Sequence, residues 1–191
     1  MYKIKPSVLD SYRIYKYEIF EKSLDDILKT IKGEYEPRPE MDLGSEIHKF
    51  FETGSADLEP EEIEQLQEMD LLIPKGINEL KFQQEIDGIL FSVVIDRVRG
   101  NEVIEFKTGS YFHGVDFYNN SVQWKTYLLC AECDKATYYN ITYNQVRPYQ
   151  FKLHEPFSFY RYKTMQDEIM QFSHEFIDFC KLHNVENYIL V

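Results

Sequence analysis

Two acidic residues and a lysine lie close together in an apolar stretch, residues 94–109, with the sequence VIDRVRGNEVIEFKTG. Gly100-Asn101 is a two-residue connection typical of a tight hairpin, so we predict that Asp96 lies directly across from Glu105. Strand alternation places Lys107 on the same face. Because like charges with Cβ atoms about 4.5–5.5 Å apart destabilise a sheet, and hard cations such as Mg²⁺ take oxygen ligands, the pair predicts a divalent metal site.

The same alternation predicts which side chains of the hairpin turn away from these three. Those expected on the opposite face are Ile95, Ile104, Phe106 and Arg97. Its position predicts a structural role for Arg97. An E-x-K pattern on a strand also arises by chance, so the hairpin alone leaves open a structural cluster of ion pairs.

Composition bounds the class of protein. The chain has 191 residues, 43% of them hydrophobic and 16% aromatic, which predicts one globular domain over residues 1–191. We expect neither a signal peptide nor a membrane-spanning segment, hence a cytoplasmic protein without a membrane partner. Cys130, Cys133 and Cys180 make a poor disulfide framework and lack the four ligands of a zinc or iron–sulfur site, so no cluster is expected.

The charge balance is acidic. The formal net charge is −12, which argues against tight non-specific binding of nucleic acid, because proteins that bind in this way usually present a basic surface. Seven of the acids fall within residues 55–70, where a solvated helix face explains them. The charge therefore predicts a weak grip on nucleic acid and does not exclude one.

Hydrophobic periodicity predicts the elements that must position these residues. The predicted helices lie within 7–31 (one long helix or a pair), 43–54, 60–72, 121–133 and 162–179. The predicted strands are 77–86, 89–98, 102–108, 136–144 and 148–154, and loops are expected at 33–42 and 109–120. We expect Ser7 and Ser45 to begin helices and Gly54 to end one.

The order of these elements, with Asp96 on the second strand and Glu105-Phe106-Lys107 on the third, resembles the core of the PD-(D/E)XK nuclease superfamily. The chain is most similar to its RecB-type branch, which includes lambda-exonuclease-like proteins of phages and small CRISPR-associated nucleases. The resemblance implies an α/β fold with a restriction-endonuclease-like core, in which a central mixed β-sheet is flanked by helices in the order αβββαβ plus extra helices.

Three further markers of this branch occur in the expected order. His48, in GSEIHKFFE, resembles its upstream histidine, Gln123 and Tyr127 reproduce its Q-x-x-x-Y helix, and SVLDSY at 7–12 resembles its S-x-L-x-x-[YF] element. Together the markers span residues 7–127, about two-thirds of the chain. Two of these markers also have a plainer interpretation, His48 as a hydrogen-bonded, partly buried histidine, and Gln123 with Tyr127 as two polar positions on a half-exposed helix.

The resemblance implies a metal-dependent deoxyribonuclease, most similar to exonucleases of DNA recombination, DNA repair or phage DNA processing. Mg²⁺ or Mn²⁺ would be held by Asp96, Glu105, His48 and the backbone carbonyl of Phe106. Lys107 would orient or deprotonate the attacking water, or only neutralise charge.

Further residues of the site are implied in the same way. Gln123 and Tyr127, four residues apart on one helix face, would position the scissile phosphate or the water bound by the lysine. Thr108 and Ser110 are candidates for contacts with phosphate. Glu85, just before the second strand, is a possible extra acid of the metal site.

The implied partner is DNA. A weak grip per subunit predicts that any processivity comes from a ring-shaped homo-oligomer, or from a single-strand annealing or other recombination protein. Exonuclease and endonuclease activity, and DNA and RNA substrates, all stay open at this point. The alternative is a catalytically inactive nuclease-fold module that binds nucleic acid or another protein.

Overall fold

A seven-stranded mixed β-sheet forms the centre of the protein in the computed structural model, which describes residues 1–34 and 39–191, with the backbone alone at 39 and 40. The elements in chain order are β1 Tyr2–Ile4, α1 Pro6–Lys16, α2 Leu24–Lys32, α3 Pro39–Thr53, α4 Pro60–Leu72, β2 Ile77–Ile86, β3 Ile89–Arg99, β4 Glu102–Gly109, α5 Val115–Asn119, α6 Val122–Cys130, β5 Lys135–Tyr143, β6 Phe151–Leu153, β7 Phe157–Tyr160 and α7 Met165–Leu182. A short 3₁₀ helix follows at Glu186–Tyr188. This architecture confirms the predicted α/β class, with a central mixed sheet flanked by helices.

Strand β3 organises the sheet. One of its edges pairs with β2 in an antiparallel hairpin, and its other edge pairs with β1 at its start and with β4 at its end. β4 then pairs in parallel with β5, whose far edge pairs with β6 and β7. Because parallel strands need a crossover, the chain passes through α5 and α6 between β4 and β5, and α6 packs on the sheet against β3 and β5.

The two faces of the sheet bury separate cores. One face packs against α1, α2, α6 and α7, and the other packs against α3 and α4. Buried residues recur three to four apart along α7, the spacing of a helix with one face on a core: Met165, Ile169, Phe172, Phe176 and Cys180. On α3 the corresponding buried residues are Ile47, Phe50 and Phe51. The candidate site lies between these two cores, at a split in the sheet that is described below.

The strands that carry the candidate site lie where the sequence predicts them. β2 spans the predicted 77–86, and β3 and β4 each extend one residue past their predicted ends. The segment 7–31 forms a pair of helices, one of the two predicted alternatives. α2 begins at a capping box between Ser23 and Asp26 and ends at Gly33, whose φ of 74° is left-handed.

Two predicted helix starts are wrong. The helix predicted from 43 begins at Pro39, so residues 39–42 are not loop, and the Ser45 hydroxyl donates within the helix to the Met41 carbonyl. Ser7 also lies inside its helix, since the cap of α1 is Lys5. Pro at the first helical position was the better signal in both cases. Residues 35–38 of the predicted loop lie outside the described residues.

The sequence prediction missed the short elements. β1, β7 and the five-residue α5 were not predicted, and the strand predicted at 148–154 is only three residues long. Elements this short show too few turns of periodicity to detect, and pairing with β3 and β5 is what makes β1 and β7 strands. Of these short elements, α5 matters most for the candidate site, because it lines that site.

No helix among residues 1–34 and 39–191 combines the length and the apolar character needed to cross a membrane.

Candidate functional site

The β3–β4 hairpin has the register that its Gly100-Asn101 connection predicts. Three residue pairs form its ladder, Arg99 with Glu102, Val98 with Val103 and Arg97 with Ile104. Among the described strand pairs the ladder ends there, one step before Asp96, so the predicted pairing of Asp96 directly across from Glu105 does not form. The Asp96 carboxylate instead accepts the backbone N–H of Phe106 through Oδ2, at 2.8 Å. The side chain of Asp96 thus replaces the next backbone partner of β4.

β3 is distorted at Asp96. Its pairing with β2 is continuous except at the pair of Glu79 and Asp96, and Glu79 has a left-handed φ of 52°. On the other edge, the described partners β1 and β4 leave residues 92–96 without a strand partner. Asp96 therefore lies where the sheet splits, so its carboxylate can leave the sheet surface and reach a ligand.

The distortion changes which side chains share a face. Ile104 and Phe106 pack in the α3–α4 core, but Ile95 packs in the opposite core, against the predicted arrangement. Arg97 donates to the Phe51 carbonyl and lies over the ring of Phe106, so the alternation along β3 is lost between 95 and 97. Strict alternation misplaced Ile95 because it assumes an undistorted strand.

Arg97 has the structural role that its position predicts. Its side chain is buried, and Nε donates to Asn78 Oδ1 at 2.7 Å. The two terminal nitrogens donate to the carbonyls of Phe51, at 2.8 Å, and Pro74, at 3.1 Å. Arg97 therefore ties β2, the end of α3 and the α4–β2 connection together beneath Asp96.

A chain of hydrogen bonds joins β4 to α6. Lys107 Nζ donates to Glu105 Oε1 at 2.8 Å and to Gln123 Oε1 at 2.7 Å. Gln123 Nε2 in turn donates to the Tyr127 hydroxyl at 2.7 Å, as their spacing of four residues on a helix allows. The structure thus brings together Glu105, Lys107, Gln123 and Tyr127, which the sequence places on two separate elements.

The two carboxylates have different electrostatic environments. Burial, with the negative charge of Asp96 as the next cause, raises the pKa of Glu105 to about 7. Burial also disfavours the charged form of Asp96, but a hydrogen bond and the charge of His48 outweigh it and lower the Asp96 pKa. Glu105 therefore has a pKa near neutrality, whereas the charged form of Asp96 is favoured.

His48 lies beside Asp96, with Nδ1 3.4 Å from Oδ1. Burial lowers the pKa of His48, but the hydrogen bond and the charge of Asp96 outweigh burial, so the pKa is raised. α3 approaches β4 closely enough to place this ring because residue 44 is glycine, where a Cβ would lie 2.8 Å from Thr108 Oγ1. The plainer interpretation, a partly buried histidine with a hydrogen-bonded partner, describes this contact as well as a ligand role does.

Lys107 is held as an ammonium. Burial lowers its pKa, but the charge of Glu105 and the hydrogen bond to it outweigh burial, and the pKa is raised. In this state Lys107 can neutralise charge and donate hydrogen bonds.

The donor set fits a hard cation. Glu105 is 4% exposed, and its Oε2 is buried without a hydrogen-bond partner among the described residues. Mg²⁺ is often held by one or two carboxylates plus water and substrate, so Asp96 and Glu105 suffice as protein ligands. Within residues 1–34 and 39–191, however, no group of three or more histidine, cysteine, aspartate or glutamate side chains is gathered to hold a metal ion.

A cleft of about 700 Å³, which we call the β4 cleft, opens along β4 between α3 and β5. His48, Lys107, Thr108 and Ser110 line it. The structure therefore places both residues predicted to contact phosphate in the same cleft as the lysine and the histidine. A cleft lined by hydroxyls and by the ammonium groups of Lys49 and Lys107 has donors for phosphate oxygens.

Two residues near the site were missed by the sequence prediction. Asn140 pairs with Lys107 across β4 and β5 and is 2% exposed, yet neither side-chain atom has a hydrogen-bond partner among the described residues. Burial is the largest cause of the raised pKa of Glu79, and the negative charge of Asp96 adds to it. Neither residue belongs to a motif, and only the pairing of strands brings them near.

Glu85 is not brought to the site. It is exposed and pairs with Leu90 near the other end of the β2–β3 hairpin. Six residues along β3 separate Leu90 from Asp96, about 20 Å in a strand. The prediction of an extra acid failed because an antiparallel hairpin puts the start of the second strand far from its end.

The three cysteines lie away from this site. All are buried and free, and burial raises the pKa of Cys130 and of Cys180 to about 12. The expected absence of an iron–sulfur cluster stays a prediction.

Two solved structures share the fold of nearly the whole chain. A protein named SSO0001 aligns with a TM-score of 0.55 at 16% sequence identity, over 94% of this chain and 76% of that one. A protein from Eubacterium rectale with a provisional exonuclease assignment also aligns with a TM-score of 0.55, at 10% identity, over 99% of this chain and 83% of its own. The sequence itself matches no protein-family model and no curated protein. Similarity at this level of identity defines a shared α/β fold.

Proposed function

We propose that the chain is a metal-dependent nuclease of the PD-(D/E)XK type, which hydrolyses phosphodiester bonds in DNA with Mg²⁺ or Mn²⁺. The observation that carries this proposal is the meeting of Asp96, Glu105 and Lys107 where the sheet splits, with one buried oxygen of Glu105 lacking a partner among residues 1–34 and 39–191. The shared fold with a provisionally assigned exonuclease supports it.

The carboxylates provide the negative charge that a divalent cation needs. Asp96 and Glu105 would hold the cation, and the Phe106 carbonyl is a further proposed ligand. His48, also a proposed ligand, would have to give up its contact with Asp96 to join them. When bound, such a cation lowers the pKa of water and stabilises the anionic transition state of phosphodiester hydrolysis.

Lys107 positions the reactants in this proposal. Glu105 and Gln123 each accept one of its three N–H donors, which fixes the ammonium and leaves a donor for water or a phosphate oxygen. Gln123 and Tyr127 are positioning residues, because their hydrogen bond to each other holds the amide that holds the lysine. Thr108 and Ser110 bind phosphate from the same cleft.

The finer assignment is an exonuclease that works in DNA recombination, DNA repair or phage DNA processing. Acidic charge weakens the grip of one subunit on DNA. Processivity is therefore supplied by a ring-shaped homo-oligomer or by a partner such as a single-strand annealing protein.

Cleavage of end-labelled linear DNA and of circular DNA, with Mg²⁺ or Mn²⁺, tests the proposal. We expect Asp96→Asn, Glu105→Gln and Lys107→Ala each to lower the rate by about 100-fold or more, since each removes charge that stabilises the transition state. Glu85→Gln is the matched control, because it removes an acid from the same hairpin but about 20 Å away. Its rate should equal that of the wild type.

Equal rates for all four variants would mean that the cleavage site is elsewhere or that another enzyme is present. The alternative function, an inactive nuclease-fold module, is favoured by the net charge of −12. It predicts no metal-dependent cleavage of either DNA by the wild type. Loss of linear but not circular DNA would identify an exonuclease.

A further inference from the structure

A second cleft lies next to the β4 cleft. It has a volume of about 820 Å³, and five of its fifteen lining residues carry rings, so we call it the aromatic cleft. The rings are Tyr17, Phe20, His113, Phe117 and Phe172. Its size is that of a site for a small molecule or for part of a larger ligand.

The two clefts adjoin at His113, which lines both of them. α5 lies between them, with Phe117 in the aromatic cleft and the neighbouring Tyr118 in the β4 cleft. A strand whose phosphate lies in the β4 cleft would therefore reach the aromatic cleft past His113.

The rings at this junction are close together and accessible. Phe20, His113 and Phe117 have ring centroids 5.0–5.5 Å apart, and Tyr111 lies 5.4 Å from His113 on the side of the β4 cleft. Phe20 is 45% exposed and Tyr111 is 70% exposed. Exposed rings beside a cleft provide the flat apolar faces on which nucleobases stack.

The charges around the aromatic cleft suit a neutral group. The two cations that line it among the described residues have acidic partners, Arg13 with Asp10 at 2.9 Å and Lys125 with Glu168 at 3.3 Å, and the nearby Lys16 pairs with Glu175. Because these cations are already paired with acids, they would attract a phosphate only weakly. A nucleobase is planar and uncharged, so it fits this cleft better than the backbone does.

We propose that the aromatic cleft binds an unpaired nucleobase of a single-stranded DNA end while the adjacent phosphate lies in the β4 cleft. The placement of that phosphate rests on the function proposed above. A base that enters the aromatic cleft leaves its complementary strand, so the substrate of the site is single-stranded at this position.

Binding without cleavage tests the proposal independently of catalysis. The affinity of the wild type for a fluorescein-labelled 12-nucleotide single strand is measured by anisotropy in EDTA. Phe20→Ala should weaken binding about 5- to 100-fold, the range that base–aromatic stacking gives, while Phe20→Tyr retains most of it. Tyr160→Ala is the control, because Tyr160 is an exposed ring on β7, outside both clefts. Circular dichroism melts check that all variants are folded.

A scan with one abasic position moved along the strand identifies the stacked base. We expect one position at which the wild type loses affinity by the same factor as Phe20→Ala, and at which Phe20→Ala loses nothing more. A flat scan, equal effects of Phe20→Ala and Tyr160→Ala, or equal weakening of duplex binding would each overturn the inference. Cleavage with a flat scan would leave the nuclease proposal in place and reject the base site. A scan with one sensitive position, but without cleavage, would support the base site and reject the nuclease proposal.

Discussion

Glu105 is the residue whose surroundings most clearly require a ligand. One of its oxygens accepts from Lys107, and the other is buried without a partner among the described residues. A buried polar atom without a hydrogen bond costs about 1–3 kcal/mol of stability. The charge of Asp96 adds to that cost, and a cation bound between the two carboxylates would remove both.

Manganese should therefore stabilise the fold. With Mn²⁺ at about 100 times its dissociation constant, a ligand bound only by the native state adds about 2.7 kcal/mol to the free energy of unfolding. We expect the melting temperature of the wild type to rise when EDTA is replaced by millimolar Mn²⁺. In Glu105→Gln this rise should be lost, because the site loses one of its two carboxylates.

Thermal melts of the Glu85→Gln variant provide the control, and its response to Mn²⁺ should match that of the wild type. If Glu105→Gln gains as much as Glu85→Gln, the cation binds elsewhere and the assignment of the site is wrong.

At the scale of elements, the site depends on how closely the α4–β2 connection crosses β3. At Gly76 a Cβ would lie 2.4 Å from the Val98 carbonyl oxygen and 2.9 Å from Arg97 Cγ. Backbone and a buried arginine cannot yield as a flexible side chain does. A glycine at this point lets the connection hold Arg97, and with it the strand that carries Asp96.

Gly76→Ala should therefore destabilise the protein by about 1–3 kcal/mol, the usual cost of forcing atoms into a packed region. Urea unfolding of Gly76→Ala and Gly109→Ala measures the difference. At Gly109 the nearest atom to a Cβ would be 3.7 Å away, an ordinary contact, so Gly109→Ala should change stability much less. Equal stability of the two variants would show that the connection can shift and does not fix β3.

At the scale of the whole molecule, the charge limits how DNA can be held. A formal net charge of −12 on 191 residues repels phosphates at long range. Under the proposed function, contact with DNA would then come from a few groups in the two clefts, and the rest from stacking or from other subunits.

The salt dependence of binding tests this picture. Each phosphate neutralised on a single strand contributes about −0.7 to the slope of log affinity against log salt, so we expect a slope of about −2 to −3 for a few contacts. Anisotropy titrations between about 50 and 200 mM NaCl in EDTA give this slope. Lys107→Gln should make this slope shallower by about 0.7, the contribution of one phosphate contact. A wild-type slope of about −6 or steeper would contradict the picture, because it requires an extended basic surface.

The sequence by itself determined the features that depend on neighbours along the chain. Strand alternation and the Gly100-Asn101 turn fixed the hairpin that carries Asp96, Glu105 and Lys107, and helical spacing put Gln123 and Tyr127 on one face. These rules work because a tight turn sets register and a helix repeats every 3.6 residues, whatever lies around them.

Only the tertiary structure decided what meets these residues. The loss of alternation at Asp96 arises because β3 is shared by three strands, and no local rule predicts where such pairing ends. His48, Asn140 and the aromatic cleft come from segments far apart in sequence, and packing brings them within reach of the hairpin. Local periodicity reports which face a side chain takes in a regular element, whereas contacts between elements depend on the free energy of the whole fold.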